Sequence, residues 1–137
     1  MKSPKGRILC TEDDADTREL IAYELTQAGY EVICTDNAAK ALELIKRERF
    51  DLCLMDSWMP GVSGDDLCKQ IREFDSKTPI LFYTGAAYDA DKARAYAAGA
   101  QGYLVKPSTE DELLDEVIRL IAQSKLIVPI TIIPPVY

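Results

Sequence analysis

With 16 Lys and Arg against 23 Asp and Glu, the 137-residue chain carries a formal net charge of −7, which excludes the clustered basic footprint that nucleic-acid binding needs. Its hydrophobic share of 47% and charged share of 28% suit one soluble domain with a sizeable core. No apolar run approaches the roughly 18 residues of a spanning helix, and Met1-Lys2-Ser3-Pro4-Lys5 lacks a signal-peptide core, so the expected setting is the cytoplasm without membrane contact.

The pattern then alternates strand and helix five times. Arg7 to Thr11 reads as the first strand, and Asp14 or Asp16 can cap a helix running to about Ala28 with Leu20, Ile21, Leu25 and Ala28 on one face. Gly29 ends that helix, Glu31 to Thr35 is the second strand, and Asn37 caps a helix carrying Ala38, Ala41, Leu42 and Ile45. Asp51 to Asp56 is the third strand, and Pro60-Gly61-Val62-Ser63-Gly64 separates it from a helix bearing Leu67, Ile71 and Phe74. The fourth strand opens at Thr78-Pro79 and runs to Thr84. An Ala-rich helix from about Asp89 to Ala98 follows, the one least held by an apolar face. Gly99 ends it, Gly102 to Val105 is the fifth strand, and Thr109-Glu110-Asp111-Glu112 forms a capping box before Leu113, Leu114, Val117, Ile118 and Ile121.

Strands that alternate with helices imply right-handed crossovers and a parallel sheet covered on both faces. The domain is expected to span residues 1–124. Residues 125–137 form an apolar, β-branched tail whose three prolines exclude a continuous helix. Packing back on the domain and docking on a partner or a second copy both remain open for that tail. The four cysteines, Cys10, Cys34, Cys53 and Cys68, lack CxxC spacing and read as reduced core thiols rather than a zinc site. The chain has no His, so any phosphohistidine chemistry draws its histidine from another protein.

The residues just past the strand ends carry the chemistry. Glu12 and Asp13 follow the first strand, Asp56 ends the third, Thr84 the fourth, and Lys106 follows the fifth. In a doubly wound sheet, residues beyond the carboxyl ends meet in one crevice where the strand order reverses. Clustered carboxylates repel one another unless a cation sits among them, and Mg²⁺ favours one or two carboxylates plus water and phosphate oxygens. Asp13 and Asp56 suit direct ligation and Glu12 ligation through water. Asp56 is also a candidate nucleophile, Lys106 a point charge for phosphoryl oxygens, and Thr84 a hydroxyl donor.

The stretches Ile8-Leu9-Cys10-Thr11-Glu12-Asp13-Asp14, Leu54-Met55-Asp56-Ser57-Trp58-Met59-Pro60-Gly61 with Gly64, Tyr83-Thr84-Gly85-Ala86 and Gly102-Tyr103-Leu104-Val105-Lys106-Pro107 together resemble a response-regulator receiver domain, the CheY-like phosphoacceptor module of two-component signalling. The likeness covers Gly6 to about Gln123. It implies a flavodoxin-like (βα)5 fold with strand order 2-1-3-4-5. It also implies a phosphoprotein whose Asp56 takes a phosphoryl group from a histidine kinase or phosphotransfer protein, with Mg²⁺ or Mn²⁺ as cofactor. Glu12, Asp13, Asp56 and the backbone carbonyl of Trp58 would hold the metal. Thr84 and Lys106 would act on the phosphoryl group, Thr84 and Tyr103 would form the switch pair, and Lys106-Pro107 would be cis. The resemblance further implies a switched surface of the fourth helix, fifth strand and fifth helix that meets an output protein or a second copy of the chain. Trp58 and Ala86 occupy the positions that tune phosphoryl lifetime, so slow self-dephosphorylation is expected, with no other catalysis.

Two other readings fit the residues less well. An aspartyl-phosphate hydrolase of the haloacid-dehalogenase type carries a second Asp two residues after its nucleophile, where this chain has Trp58. A flavodoxin-like phosphate binder needs a Gly, Ser and Thr-rich first loop, where this chain has Glu12-Asp13-Asp14. Within the receiver reading, the chain is either a stand-alone module or a receiver from a larger DNA-binding regulator or hybrid kinase. The apolar tail is unlike a polar linker and favours the former.

Overall fold

The computed structural model describes residues 3–126. Ten elements alternate along the chain: β1 (Arg7–Thr11), α1 (Ala15–Gln27), β2 (Glu31–Thr35), α2 (Ala38–Arg47), β3 (Leu52–Met55), α3 (Gly64–Arg72), β4 (Ile80–Thr84), α4 (Asp89–Ala98), β5 (Gly102–Val105) and α5 (Glu110–Leu126). The strands pair in parallel in the order β2-β1-β3-β4-β5. This is the flavodoxin-like (βα)5 arrangement that the resemblance implied.

Strand residues alternate between two cores, as a period of two requires. Ile8, Cys10, Leu52, Leu54 and Leu81 meet Ile21 and Leu25 of α1 and Leu113, Val117, Leu120 and Ile121 of α5. Leu9, Cys53, Met55, Ile80 and Phe82 meet the apolar sides of α2, α3 and α4. Because both faces are covered, β3 has no polar position and all four of its residues are buried. The Ala-rich α4 contributes only Ala95 and Ala98 as buried residues, whereas α3 contributes Leu67, Cys68 and Ile71.

The helix starts follow side-chain capping. Asp14, rather than Asp16, accepts from Thr17 N at 2.9 Å, and Asn37 Oδ1 accepts from Lys40 N at 2.9 Å. Thr109 and Glu112 exchange reciprocal bonds of 3.1 Å as the capping box requires. Gly29 (φ 104°) and Gly99 (φ 117°) end α1 and α4 in the left-handed region.

Several sequence expectations are corrected. Leu20, Phe74 and Ile118 lie at or next to apolar stripe positions but are 57%, 44% and 51% exposed. Leu20 and Ile118 each sit one residue, about 100° of turn, from the stripe formed by Ile21 with Leu25 and by Val117 with Leu120. Phe74 falls beyond the end of α3, with Lys46 Nζ 5.3 Å from its ring centroid. Cys34 is exposed, not a core thiol, because β2 is an edge strand. Helix α5 takes in Lys125 and Leu126, which composition had assigned to the tail. Residues 127–137, and with them the docking expectation for the tail, lie outside the described residues. Among the described residues, no helix is long and apolar enough to cross a membrane.

Candidate functional site

The carboxyl ends of β1, β3, β4 and β5 place the candidate residues together. Register sets Thr11 beside Met55 and Thr84 beside Val105, so the loops that follow leave the sheet side by side. Backbone bonds hold them there: Glu12 N donates to Thr35 O at 3.0 Å, Asp56 N to Thr11 O at 3.3 Å and Lys106 N to Thr84 O at 2.8 Å. The Lys106-Pro107 peptide is cis, as the resemblance implied.

Lys106 Nζ stands between two acids. It donates to Asp56 Oδ2 at 2.9 Å and to Glu12 Oε1, and lies 5.5 Å from the Tyr83 ring centroid. Glu12 is 2% exposed, and its second oxygen, Oε2, is buried without a hydrogen-bond partner. Asp13 is exposed, yet carboxylate oxygens of Glu12, Asp13 and Asp56 all come within 4.8 Å of one another. One ammonium thus faces three carboxylates. A buried acceptor without a donor and a residual negative charge make this a donor set that fits a hard divalent cation such as Mg²⁺.

The electrostatics agree. Burial pushes the Glu12 carboxyl up, and the Asp56 carboxylate adds to that rise while Lys106 only partly opposes it. Burial would also raise Asp56, but the Lys106 ammonium, the nearby Thr84 hydroxyl and the Trp58 amide outweigh it and hold Asp56 below the usual carboxylate range. The Trp58 N–H donates to Asp56 Oδ1 at 3.3 Å. Burial works against the charge on Lys106, yet its bonds to Glu12 and Asp56 raise its pKa on balance. Asp56 is therefore held in its ionised form.

Thr84 is fully buried, and its Oγ1 accepts from Ala86 N at 3.2 Å. Tyr103 is half-buried, stacks on Phe82 with centroids 5.9 Å apart, and donates its hydroxyl to Ala86 O at 2.6 Å. Thr84 and Tyr103 thus both grip Ala86, at the start of the loop to α4. The Trp58 indole is 66% exposed and joins the site through its backbone.

Two residues have site roles that the sequence reading did not assign. Arg18, one turn into α1, donates to the backbone carbonyls of Glu12 at 2.9 Å and Asp13 at 3.4 Å, clamping the acidic loop. An Arg at that spacing carries no signal by itself. Gly64 packs against Asp56: an added Cβ would lie 2.3 Å from the Asp56 carbonyl oxygen and 2.9 Å from the Phe82 ring. Its place after the Pro60–Ser63 loop was visible, but the close approach was not.

The model of the family described as response regulator receiver domain matches residues 8–118. The transcriptional regulatory protein YrkP of Bacillus subtilis is 42% identical over 112 residues, which is 82% of this chain and 48% of YrkP. The receiver domain of the Francisella response regulator 1452 superposes with a TM-score of 0.83 at 25% identity, covering 88% of this chain and 99% of that one. The receiver domain of sensor histidine kinase PA1611 from Pseudomonas aeruginosa PAO1, which has a magnesium ion coordinated in its active-site cleft, gives 0.80 at 29% identity over 85% of this chain and 98% of its own. The chain spans about half the length of the curated relatives it matches. With the crevice chemistry and the 2-1-3-4-5 sheet already in place, the chain belongs to the response-regulator receiver domains of two-component signalling.

Proposed function

We propose that Asp56 is the phosphoacceptor of a phosphorelay and that Glu12, Asp13, Asp56 and the Trp58 carbonyl hold Mg²⁺ or Mn²⁺ while it is loaded. The observation that carries this reading is the contact of Lys106 with both Asp56 and Glu12 beside the unpartnered Glu12 Oε2. An ionised Asp56 oxygen attacks the phosphorus of a phosphohistidine on a histidine kinase or phosphotransfer protein. The P–N bond breaks, and its electron pair returns to the imidazole of the donor. When bound, the divalent cation offsets negative charge on the transferring group. Lys106 pairs with phosphoryl oxygens in place of one Asp56 contact, and the Thr84 hydroxyl supplies a further donor. The chain turns over no other substrate in this reading, and the phosphotransfer takes place in the cytoplasm.

The output follows from the grip on Ala86. A phosphoryl group that draws the Thr84 hydroxyl toward itself releases Ala86 N, which frees the loop that Tyr103 also holds. The loop leads into α4, whose buried contribution is two alanines, so α4, β5 and α5 form the surface that changes. That surface meets an output protein or a second copy of the chain. A second reading, output through a DNA-binding effector region, is favoured by relatives such as YrkP that are transcriptional regulators of about twice the matched length.

The test is intact mass after incubation with acetyl phosphate and Mg²⁺. One added phosphoryl group is expected, absent with chelator and absent in Asp56→Asn; an adduct that persists in Asp56→Asn would refute the assignment. Thr84→Ala is expected to accept the group but to lose most of the change in amide exchange at α4 and β5. A full response in that variant would remove Thr84 from the switch.

A further inference from the structure

Cys10 and Cys34 lie directly opposite each other in the parallel pairing of β1 with β2. Register partners project their side chains to the same face of a sheet, and neighbouring strands run about 4.8 Å apart. That spacing lies inside the roughly 4.4–6.8 Å Cα separation that a disulfide spans. The two thiols therefore lie side by side on one face of the β1–β2 pair.

Their surroundings differ in the way a reactive pair requires. Cys10 is 0% exposed in the core between the sheet and α1 and α5. Cys34 is exposed on the edge strand and lines a cleft of about 480 Å³ together with Arg18, Asp36, Lys40, Glu43 and Arg47. The neighbouring Cys10 thiol favours the Cys34 thiolate and outweighs burial; with help from the Arg18 guanidinium it brings Cys34 down to about 7. The other two thiols provide an internal contrast. Both are buried, and burial raises both, Cys68 to about 11.

We propose that Cys34 and Cys10 form a two-thiol redox site, in which Cys34 reacts with a small hydroperoxide and Cys10 resolves the product into an intramolecular disulfide. In the first step the Cys34 sulfur attacks one peroxide oxygen and the O–O bond breaks. The departing oxygen leaves with a proton as water or alcohol, and Cys34 becomes a sulfenic acid, oxidised by two electrons. In the second step the Cys10 sulfur attacks the sulfenic sulfur. The S–S bond forms, the S–O bond breaks, and the hydroxyl leaves as water with the Cys10 proton. Two thiols and one hydroperoxide thus give one disulfide, one water and one further water or alcohol. The edge position of β2 admits the oxidant to Cys34 and denies it to Cys10, which sets the order of the steps. This inference is independent of the phosphoryl chemistry.

The experiment treats the full chain with hydrogen peroxide and reads intact mass without reductant, followed by thiol alkylation and peptide mapping. Wild type is expected to lose the mass of two hydrogen atoms, with the Cys10 and Cys34 peptides linked and Cys53 and Cys68 still alkylated. Cys10→Ala is expected to stop at a Cys34 sulfenic acid that dimedone captures, and the exposed Cys34→Ser substitution to leave Cys10 reduced. A Cys34 that resists peroxide as Cys53 does would overturn the proposal. So would a Cys10 that oxidises equally fast in Cys34→Ser, or a product linked only between two chains through Cys34.

Discussion

The two ends of the sheet each carry a cluster of charges and use it differently. At the amino end, Arg7 donates to Glu31 at 2.5 Å, to Glu48 at 2.7 Å and to the Arg49 carbonyl at 3.0 Å, while its backbone N–H bonds Asp51 at 2.8 Å. Nearby, Asp75 accepts from the Thr78 hydroxyl at 2.6 Å and from the amides of Thr78 and Lys77 at 3.0 and 2.9 Å. Each of these four acids has a partner. At the carboxyl end, Lys106 is shared by Glu12 and Asp56, Asp13 adds a third charge, and Glu12 Oε2 has none. A completed network holds a fold together, whereas an incomplete one is poised to take a ligand. The location follows from strand direction, since parallel strands send all their loops of one kind to one end.

Removing the shared cation should widen this contrast most. Breaking a fully buried pair costs about 3–5 kcal/mol, and partial exposure of the Lys106 and Asp56 side chains (22% and 12%) reduces the expected loss for Lys106→Met to about 2 kcal/mol. Urea denaturation measures it, and Mg²⁺ should recover more stability in this variant than in wild type. Equal Mg²⁺ gains in both would contradict the picture of uncompensated acids.

The next largest effect is that of the metal itself. A cation present at ten times its Kd stabilises the folded chain by about 1.4 kcal/mol, read as a raised Tm. Glu12→Gln should abolish most of this gain in Tm. If Glu12→Gln binds Mg²⁺ as wild type does, the orphaned oxygen is not part of the metal site.

The smallest effect belongs to the completed end and depends on pH. Burial would raise Asp75, but the Thr78 hydroxyl and the two amides outweigh it and hold its pKa below the ordinary 3.8. A depressed carboxyl contributes stability above its unfolded value and loses that stability as pH falls through the folded one. Asp75→Ala should therefore cost about 1 kcal/mol at neutral pH, with the gap to wild type closing as the pH drops below about 3.8. A constant gap across that range would mean that Asp75 acts through packing, and Mg²⁺ affinity should be unchanged throughout.

Much of this molecule was legible in one dimension. Short apolar runs such as Leu52–Met55 announce strands covered on both faces, and Asp14, Asn37 and Gly99 mark helix ends through local backbone chemistry. The candidate site residues Glu12, Asp56, Thr84 and Lys106 were legible because topology places every β-to-α loop at one end of the sheet. Helix facing was less legible. Leu20 and Ile118 satisfy the periodicity within a residue, yet the width of the buried stripe depends on what packs opposite.

What the order of residues determined by itself was the element sequence, the caps and the set of groups that meet in the crevice, since each rests on local propensity or strand direction. What only the tertiary structure decided was pairing and partnership. Glu12 shares Lys106 with Asp56 while keeping one oxygen bare, Gly64 must lack a Cβ because it rests on the Asp56 carbonyl, and Cys34 faces solvent beside a buried Cys10. These depend on register and edge position, which bring together residues far apart in the chain and which no local pattern encodes.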